Sequence, residues 1–535
     1  MFDPFAAFDN SRRLIRAARV LARHDALFPF TDMPVPPPAI RIAHWLARLR
    51  LPWEAGGEMD AQASDSTRPG ERLAQALQDL GPSYIKLGQM LATRPDVIGD
   101  QLARDLMRLQ DRLAPFPQLE AEAAIVQELG GTLVDHFIEF GPAIAAASIA
   151  QVHQARVADK TQTDDAQTIQ QVAVKILRPG VEHAFTRDLA SFFWAAQLVE
   201  RTQPALHRLR LTEVVRILAE SVALEMDLRY EAAAASELAE NMAAEIAAGE
   251  FRVPVIDWRR TGRRVLTLEW VDGISIGDTA ALRAAGHDLP RLAARVITLF
   301  LKQAMRDGFF HADMHQGNLF VGRDGAVIAV DFGIMGRLDP RSRRYLAEIL
   351  YGMVRRDYRR VAEVHFEAGF VPTGKSVDAF AQALRSVGEP VFGLRASEIS
   401  MSRLLAQLFQ VTETFAMRTQ PQLLLLQKTM VVVEGVARGL DPDVDFWAVS
   451  EPVIAGWIAD HLGPEARLAE AVEGAAALAR ALPNLPYLIE RAERAAERFY
   501  AEEPDKEDVP ASNGFDRAGW WVAGAAILAL VLSWV

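Results

Sequence analysis

The stretch from residue 311 to residue 333 constrains this chain more than any other, and it reads HADMHQGNLFVGRDGAVIAVDFG. Asp313 precedes Asn318 by five positions, and Asp331 follows a short apolar run that is typical of a β-hairpin. Carboxylate and amide oxygens are the ligands that Mg²⁺ prefers in combination with phosphate oxygens. The spacing therefore predicts a catalytic loop and a magnesium loop on either side of a hairpin.

The order of these residues matches the catalytic segment of protein kinases. His311, Asp313 and Asn318 fit the spacing H-x-D-x-x-x-x-N, and a D-F-G tripeptide begins at Asp331. A D-F-G alone is a weak signal, whereas the ordered pair at this separation is specific. We interpret Asp313 as the catalytic base or water-positioning group, and Asn318 and Asp331 as magnesium ligands. His311 and His315 are interpreted as structural.

Two segments upstream supply features that a nucleotide requires. Residues 172–175 read VAVK and resemble the lysine-bearing strand of kinases, in which Lys175 would bind the α- and β-phosphates of ATP. A turn with the spacing G-x-G-x-x-G-x-V, but with alanine at each glycine position, precedes it at Ala145, Ala147, Ala150 and Val152. Alanine restricts the backbone, so this phosphate-covering turn is predicted to be less mobile than a glycine-rich loop. Taken alone, either segment would also fit an ordinary strand.

Together these motifs resemble the UbiB family of atypical kinase-like proteins, which is linked to ubiquinone biosynthesis. Two further family motifs are present, KxGQ from Lys86 to Gln89 and ExD from Glu225 to Asp227. The resemblance implies an α+β, protein-kinase-like two-lobed fold with an N-terminal helical extension, in which the KxGQ helix folds over the active-site cleft. It also implies ATP and Mg²⁺ as cofactors.

The resemblance assigns further residues to the nucleotide site. Glu231 is implied as the partner of Lys175. Glu269 and Val271 fall where the hinge backbone of a kinase holds adenine. These assignments complete the predicted nucleotide-binding set.

The KxGQ and ExD motifs form a predicted regulatory group beside the cleft. Lys86 and Gln89 are three positions apart, so they share a helix face. Residues 211–242 are predicted to be helical, so Glu225 and Asp227 point about 200° apart and cannot face the same group. Asp227 instead shares a face with the residue four positions later. The resemblance implies that both ExD acids lie near the KxGQ helix.

The amino-acid composition excludes or disfavours several classes of function. The chain has 535 residues, with 58 Lys and Arg against 70 Asp and Glu, which gives a net charge of −12. An acidic balance argues against binding duplex nucleic acid over a broad face, so no nucleic-acid partner is expected. The sequence has no cysteine, which excludes disulfides, thiolate zinc sites, iron–sulfur clusters and cysteine nucleophiles. A hydroxylase is not supported, since no flavin fingerprint or iron triad is found.

Both ends of the chain carry signals that relate to membranes. Residues 519–535, GWWVAGAAILALVLSWV, are uncharged, have tryptophan at both ends and would span about 25 Å as a helix. We expect a single C-terminal transmembrane anchor in the inner (cytoplasmic) membrane, with the catalytic body in the cytoplasm. A membrane-inserted hairpin and a buried core helix are the alternatives. Residues 11–24 fit either a basic amphipathic helix on an anionic membrane or a helix packed on the body.

The composition shifts along the chain and the family resemblance together imply six segments. They are an N-terminal helical segment (1–70), a KxGQ helical extension (71–134), a kinase-like N-lobe with the ExD helix (135–272), a kinase-like helical C-lobe (273–500), an acidic linker (501–518) and the transmembrane anchor (519–535).

The resemblance implies a Mg-dependent ATPase that supports ubiquinone biosynthesis by helping membrane-embedded precursors reach their enzymes. Its expected partners are membrane lipids, polyprenyl quinone precursors and the ubiquinone biosynthetic enzymes. No A-P-E motif follows the D-F-G, which argues against a platform for a peptide substrate. A protein or small-molecule kinase that regulates the pathway stays open as an alternative. So does a non-catalytic nucleotide-binding scaffold, although intact Lys175, Asp313, Asn318 and Asp331 argue against it.

Overall fold

The computed structural model describes residues 4–26, 68–92, 102, 105–106, 113–159, 168–202, 210–392, 411, 414–415, 417 and 421–462. The chain divides into two compact units. Among the described residues, the first unit comprises those up to Ala232 together with Ile256–Trp270. The second comprises Ala233–Val255 and the residues from Val271 onward.

The described helices and strands alternate in a mixed α+β order. In chain order the helices are α1 (Pro4–Arg23), α2 (Pro69–Leu80), α3 (Pro82–Ala92), α4 (Gln118–Leu129), α5 (Leu133–His136), α6 (Val181–Thr202), α7 (Leu211–Glu225), α8 (Leu228–Asn241), α9 (Ala243–Ala247), α10 (Thr279–Ala284), α11 (Leu289–Leu301), α12 (Pro340–Val354), α13 (Tyr358–Glu367), α14 (Val377–Phe392), α15 (Pro421–Leu440) and α16 (Phe446–Leu462). The strands are β1 (Glu139–Ala146), β2 (Ala150–Asp159), β3 (Thr168–Leu177), β4 (Phe251–Arg252), β5 (Val265–Glu269), β6 (Gly273–Ser275), β7 (Phe309–His311), β8 (Leu319–Gly322), β9 (Val327–Ala329) and β10 (Met335–Arg337). A 3₁₀ turn spans Trp258–Arg260 and a π-helix spans Lys302–Asp307.

The first unit contains an antiparallel sheet in the order β1-β2-β3-β5. Strand β3 reads TIQQVAVKIL, and its alternating branched residues are typical of a strand that buries one face in a core. Val172, Val174 and Ile176 point to one face, where they pack with Ile125 of α4. Since side chains alternate along a strand, Lys175 points to the opposite face. This alternation brings a charged residue to the middle of an apolar sheet.

The predicted KxGQ helix is present as α3 and packs on the core of the first unit. Helix α2 ends at Leu80, Gly81 follows with φ +105°, and Pro82 then begins α3. Tyr84, Leu87 and Met90 pack against a buried cluster formed by α6, α7 and β5. This apolar face is what holds the KxGQ helix in place.

The N-terminal helix α1 packs on the body of the first unit. Leu14, Ala17 and Ala22 are buried, and the helix lies against α2 and α6. Asn10 accepts a hydrogen bond from Ser191 at 3.0 Å. The structure therefore favours the packed helix over an amphipathic helix on a membrane surface, because its apolar face is already covered.

The helix predicted over residues 211–242 is wrong as one continuous element. Helix α7 ends at Glu225 and α8 begins at Leu228, with Asp227 between them. The Asp227 carboxylate accepts a hydrogen bond from the backbone N–H of Arg229 at 3.1 Å. Asp favours such positions because its side chain satisfies an otherwise unpaired N–H at a helix start. The expected angle of about 200° between Glu225 and Asp227 does not apply, since they are not on one helix.

The second unit is mostly helical and contains two small sheets. One sheet has the order β4-β9-β8-β6, and the other pairs β10 with β7. Helix α11 lies under them, with an almost wholly buried face that also contacts α15 and α16. The hairpin of β8 and β9 is the one predicted between Asn318 and Asp331. It places the predicted catalytic and magnesium loops at its two ends.

Several predictions fall on residues outside those described. Within the part of the chain that the structure describes, no helix is long and apolar enough to cross a membrane. The predicted anchor at 519–535 and the linker at 501–518 lie outside that part. The placement of the anchor therefore stays a prediction.

Candidate active site

Lys175 and Glu231 form an ion pair in the first unit. The Lys175 ammonium lies 2.8 Å from Glu231 Oε1 and 2.9 Å from Oε2, so one nitrogen bridges both carboxylate oxygens. The two side chains are 15% and 8% exposed. A charge this buried requires a partner, and Glu231 on the first turn of α8 supplies it. The pairing that the resemblance implied is therefore confirmed.

The alanine-rich segment is a tight turn between β1 and β2. Ala145 pairs with Val152, and the N–H of Ala147 donates to the carbonyl of Ala150 at 2.8 Å. Val152 in turn pairs with Lys175 on β3. None of the residues in this turn has a positive φ. Alanine is therefore accommodated without strain, because the turn does not use the left-handed conformation that would require glycine.

The predicted hinge residues occupy the end of β5 and the residues after it. Glu269 is the last residue of β5 and pairs with Val172. The N–H of Trp270 extends the pairing by donating to the carbonyl of Gln171 at 3.2 Å. Val271 is the first residue of the second unit after this strand. The proposed contact of both residues with adenine stays a prediction.

The KxGQ and ExD motifs meet within the first unit. Lys86 Nζ lies 2.6 Å from Glu225 Oε2, and the side chains are 12% and 13% exposed. Gln89 lies one turn further along α3 and is half-buried. The predicted closeness of the first ExD acid to the KxGQ helix is confirmed.

The second ExD acid has a different partner. Both oxygens of Asp227 accept hydrogen bonds from the Arg229 guanidinium, at 2.9 and 2.6 Å. This guanidinium lowers the pKa of the Asp227 carboxyl. The two ExD acids thus hold separate cations, Lys86 for Glu225 and Arg229 for Asp227.

Asp313 lies in a loop of the second unit that is fixed by its neighbours. The Asn318 side-chain N–H donates to the Asp313 carbonyl at 3.1 Å and approaches its Oδ2 at 3.4 Å. His315 Nδ1 accepts the Gly317 N–H at 2.9 Å, and its Nε2 lies 3.4 Å from Asp313 Oδ2. The Asp313 carboxylate keeps 28% of its side-chain surface exposed. It is therefore oriented by neighbours and still accessible to a substrate.

His311 holds the two ends of the loop together. Its Nδ1 accepts the Asp313 N–H at 3.1 Å, and its Nε2 donates to the Val330 carbonyl at 3.1 Å. These partners assign the proton to Nε2 and leave the ring neutral. Burial lowers the pKa of His311, which maintains that neutral form. The structural interpretation of His311 agrees with this geometry.

Asn318 and Asp331 provide two oxygen donors at the ends of the hairpin. The Val330 N–H donates to the Asn318 carbonyl at 2.9 Å, so Asp331 is held next to this loop. Asp331 has φ +61°, a conformation that is uncommon for a residue other than glycine. Such local strain is often found at functional sites.

These two donors fit a magnesium ion. The Asn318 amide nitrogen is occupied by Asp313, so its amide oxygen is the atom available to a metal. Mg²⁺ is commonly held by one or two protein oxygens together with substrate phosphates and water. Among the described residues, no cluster of three or more His, Asp or Glu could hold a metal by itself. The donor set therefore suits a metal that arrives with a phosphate ligand.

Sequence analysis missed two residues that support the catalytic loop. Gln303, in the π-helix, accepts the His311 N–H at 3.0 Å. The Thr429 hydroxyl of α15 lies 2.8 Å from the carbonyl of Leu425 in its own helix and 3.1 Å from the carbonyl of Ala312, so its one proton is shared between these two acceptors. Neither residue belongs to a recognisable motif, and Thr429 is 117 positions away from Ala312. The π-helix is a structural signal for Gln303, since such segments often accompany functional sites.

Comparisons with known proteins show which family the chain resembles. The family model of the ABC1 atypical kinase-like domain matches residues 108–365, and that of the UbiB helical domain matches residues 384–445. A protein named "Probable protein kinase UbiB" from Marinobacter nauticus is 38% identical over 89% of this chain and 84% of its own length. Proteins of the same name from Pseudomonas putida and Xanthomonas axonopodis pv. citri are 39% and 40% identical, over 85% and 89% of this chain and 82% and 84% of their own lengths.

A solved structure is also similar. It is the complex of Rv3197 with erythromycin from Mycobacterium tuberculosis, with a TM-score of 0.48 and 23% identity. The match covers 72% of this chain and 95% of the chain in that structure.

The fold and the site together define an atypical kinase-like protein of α+β class. The matched family models and the relatives also identify the family within this class. The chain belongs to the UbiB family.

Proposed function

We propose that this chain binds Mg-ATP and hydrolyses it in support of ubiquinone biosynthesis. The observation that carries the proposal is the Lys175–Glu231 ion pair, in which a glutamate 56 positions away holds a strand lysine. Such a pair is a required part of the active arrangement in kinases. Lys175 then binds the α- and β-phosphates, and the alanine-rich turn covers them.

The loop residues of the second unit carry the chemical step in this proposal. Asn318 and Asp331 hold Mg²⁺, which neutralises negative charge on the phosphates when it is bound. Asp313 orients the attacking water or accepts its proton, and His315 and Asn318 keep its carboxylate in position. A preorganised carboxylate of this kind commonly contributes several powers of ten to a rate.

We further propose that residues 519–535 anchor the chain in the inner membrane, with the body in the cytoplasm. The partners would be membrane lipids, polyprenyl quinone precursors and the ubiquinone biosynthetic enzymes. ATP hydrolysis would help these precursors leave the bilayer for those enzymes. The uncharged terminal segment and the family membership support this part of the proposal.

The alternative is a kinase that phosphorylates a protein or a small molecule. The relatives carry the name of a probable protein kinase, and such an enzyme would use the same nucleotide residues. The absence of an A-P-E motif argues against a peptide substrate. A nucleotide-binding scaffold is disfavoured, because every predicted nucleotide and metal residue is intact.

The fate of the γ-phosphate tests the proposal. Full-length protein in detergent is given γ-labelled ATP and Mg²⁺, with and without liposomes, beside Asp331→Asn. We expect inorganic phosphate to be released by the wild type and to fall at least a hundredfold in the variant. Label on a protein or a lipid would favour the kinase alternative. Nucleotide binding without any transfer of label would favour the scaffold.

The pathway is tested separately in cells. A strain whose only copy carries Asp313→Asn is expected to lose quinone, and wild-type protein should restore it. Normal quinone in that strain, with the variant protein present at wild-type level, would contradict a catalytic role in the pathway.

A further inference from the structure

Arg178 lies directly after β3 and binds the alanine-rich turn from one side. Its Nε donates to the carbonyl of Ala147 at 3.0 Å, and its backbone N–H donates to the carbonyl of Ile149 at 2.8 Å. Two of the carbonyls in this turn are therefore held by one residue. Arg178 belongs to no motif that sequence analysis identified.

The same guanidinium also binds a second segment of the first unit. Its Nη2 donates to the carbonyl of Ala114 at 2.8 Å, just before α4. The neighbouring Phe116 lies under the guanidinium, with its ring centroid 5.6 Å from the central carbon. Gln151 of β2 accepts the Phe116 N–H at 2.9 Å. The segment before α4 and the alanine-rich turn are thus tied together through Arg178 and Gln151.

The contacts of Arg178 determine how the turn is oriented. In a trans peptide unit the carbonyl and the following N–H point in opposite directions. Because the Ala147 carbonyl points toward Arg178, the N–H of Ser148 is directed to the opposite side of the turn. A lysine would keep the positive charge, but it lacks the planar fork that holds two carbonyls at once.

We propose that Arg178 is a positioning residue for the nucleotide, which acts by fixing the alanine-rich turn against the segment before α4. This inference rests on the proposed function, in which that turn covers the phosphates. Arg178 itself does not touch the nucleotide. Its loss should weaken nucleotide binding because the turn would have to be ordered by the ligand, at a cost in affinity.

The experiment compares Arg178→Lys and Arg178→Met with the wild type, using full-length protein. Arg178→Met retains an aliphatic stem against Phe116 and removes every side-chain donor. Arg156→Lys is the matched control, since Arg156 is an exposed β2 arginine paired with exposed Glu139. Three kinds of measurement are made. They are the Kd for a fluorescent ADP analogue with Mg²⁺, the separate values of kcat and KM with ATP, and the rate of deuterium exchange in the peptide that contains residues 145–150.

We expect both Arg178 variants to raise the Kd and the KM at least tenfold, to change kcat by less than threefold, and to accelerate exchange in residues 145–150. The Arg156→Lys control should match the wild type in all three. The thermal midpoint of each variant, read with the same samples, identifies any variant that is not folded.

The outcomes separate this inference from the proposed function. Wild-type protein that binds no nucleotide would overturn both. Wild-type binding together with Kd values for both Arg178 variants within twofold of it would overturn the role of Arg178 alone. Unchanged exchange in residues 145–150 would likewise overturn it, because the turn would not depend on Arg178.

Discussion

Lys86 Nζ lies 2.6 Å from Glu225 Oε2, and both groups are largely removed from solvent. The pair joins the KxGQ helix α3 to the last residue of α7. Breaking a buried ion pair on one side leaves the other charge without compensation, which is more costly than the pair itself is stabilising. The KxGQ motif is therefore held in its place by charge as well as by its apolar face.

Removal of either partner in this pair should destabilise the first unit. We expect Lys86→Met and Glu225→Gln each to lower the free energy of unfolding by about 3 kcal/mol. The double variant should lose less than the sum, with a coupling of at least about 1 kcal/mol in urea titrations. The exposed pair of Arg323 and Asp272 is the control and should show no measurable coupling. Strictly additive losses at Lys86 and Glu225 would contradict the prediction.

Substituting Glu231 in addition to Lys175 should restore part of the stability but none of the nucleotide affinity. Lys175→Met removes the cation that bridges both oxygens of a buried carboxylate, so the variant should be less stable by about 3 kcal/mol. Adding Glu231→Gln should recover part of this stability, because the buried negative charge is removed as well. Nucleotide affinity should stay at least tenfold weaker in both variants. A Lys175→Met protein with wild-type stability and affinity would contradict both roles of the lysine.

The positive φ of Asp331 allows two effects of this residue to be measured separately, backbone strain through stability and metal binding through nucleotide affinity. Asn tolerates a positive φ better than other residues with side chains, so Asp331→Asn should fold with nearly wild-type stability. Asp331→Ala should be less stable by about 1 kcal/mol, and Asp331→Gly should not show this penalty. All three variants should lose the dependence of nucleotide affinity on Mg²⁺, as measured by titration with and without the metal. Retained Mg²⁺ dependence in Asp331→Asn would remove this residue from the metal site.

His365 should make the protein sensitive to acid. It is buried in α13, its Nδ1 donates to the Val361 carbonyl at 2.7 Å, and burial lowers its pKa to about 4. The unfolded chain, with an ordinary histidine pKa of about 6.5, binds the proton more readily. The contribution of His365 to the free energy of unfolding is therefore fully present above about pH 6.5. It falls by about 3 kcal/mol as the pH approaches 4.

Urea unfolding at several pH values checks this window. His365→Leu should reduce the slope between pH 6.5 and pH 4 without abolishing it, because burial also lowers the pKa of His311 and of His153. His183→Gln, at an exposed position on α6, should leave it unchanged. An unaltered slope in His365→Leu would assign the acid sensitivity to other groups.

The proposed anchor can be tested by fractionation. Deleting residues 519–535 should move the protein from the membrane fraction to the supernatant after cell lysis, because the uncharged span would be gone. Replacing the segment with an unrelated transmembrane helix should restore membrane recovery. Full recovery of the truncated protein with the membranes would mean that another part of the chain binds them.

The candidate site could be predicted from the sequence because its residues occur at fixed spacings. Asp313 and Asn318 belong to one loop, and the apolar run before Asp331 has the length of a hairpin. Lys175 was recognisable because a charge on an apolar strand requires a partner. Its partner Glu231 followed only from the family resemblance, since nothing local in the sequence relates residues 56 positions apart.

The local elements were also largely predictable, whereas their breaks and supports were not. Helices α3 and α6 follow their apolar periodicity. The interruption at Asp227 depends on a side chain that competes with the helix for a backbone N–H. The spacing of apolar residues does not indicate such a break. Arg178 and Gln303 act through backbone carbonyl and N–H groups of distant segments. Such contacts leave no pattern in a single sequence.

The hydroxyl of Thr429 has a consequence for any attempt to divide this chain. It lies in the region matched by the UbiB helical domain. It shares its proton between the carbonyl of Leu425 in its own helix and the carbonyl of Ala312, which lies between His311 and Asp313. The hydrogen bonds that support the predicted catalytic loop therefore extend across the boundary between the two matched family regions. A chimaera that exchanges residues 384–445 with a relative would replace a support of the catalytic loop. Substitutions in α15, far from every signature motif, are thus a route to retuning the activity while each nucleotide-binding residue stays in place.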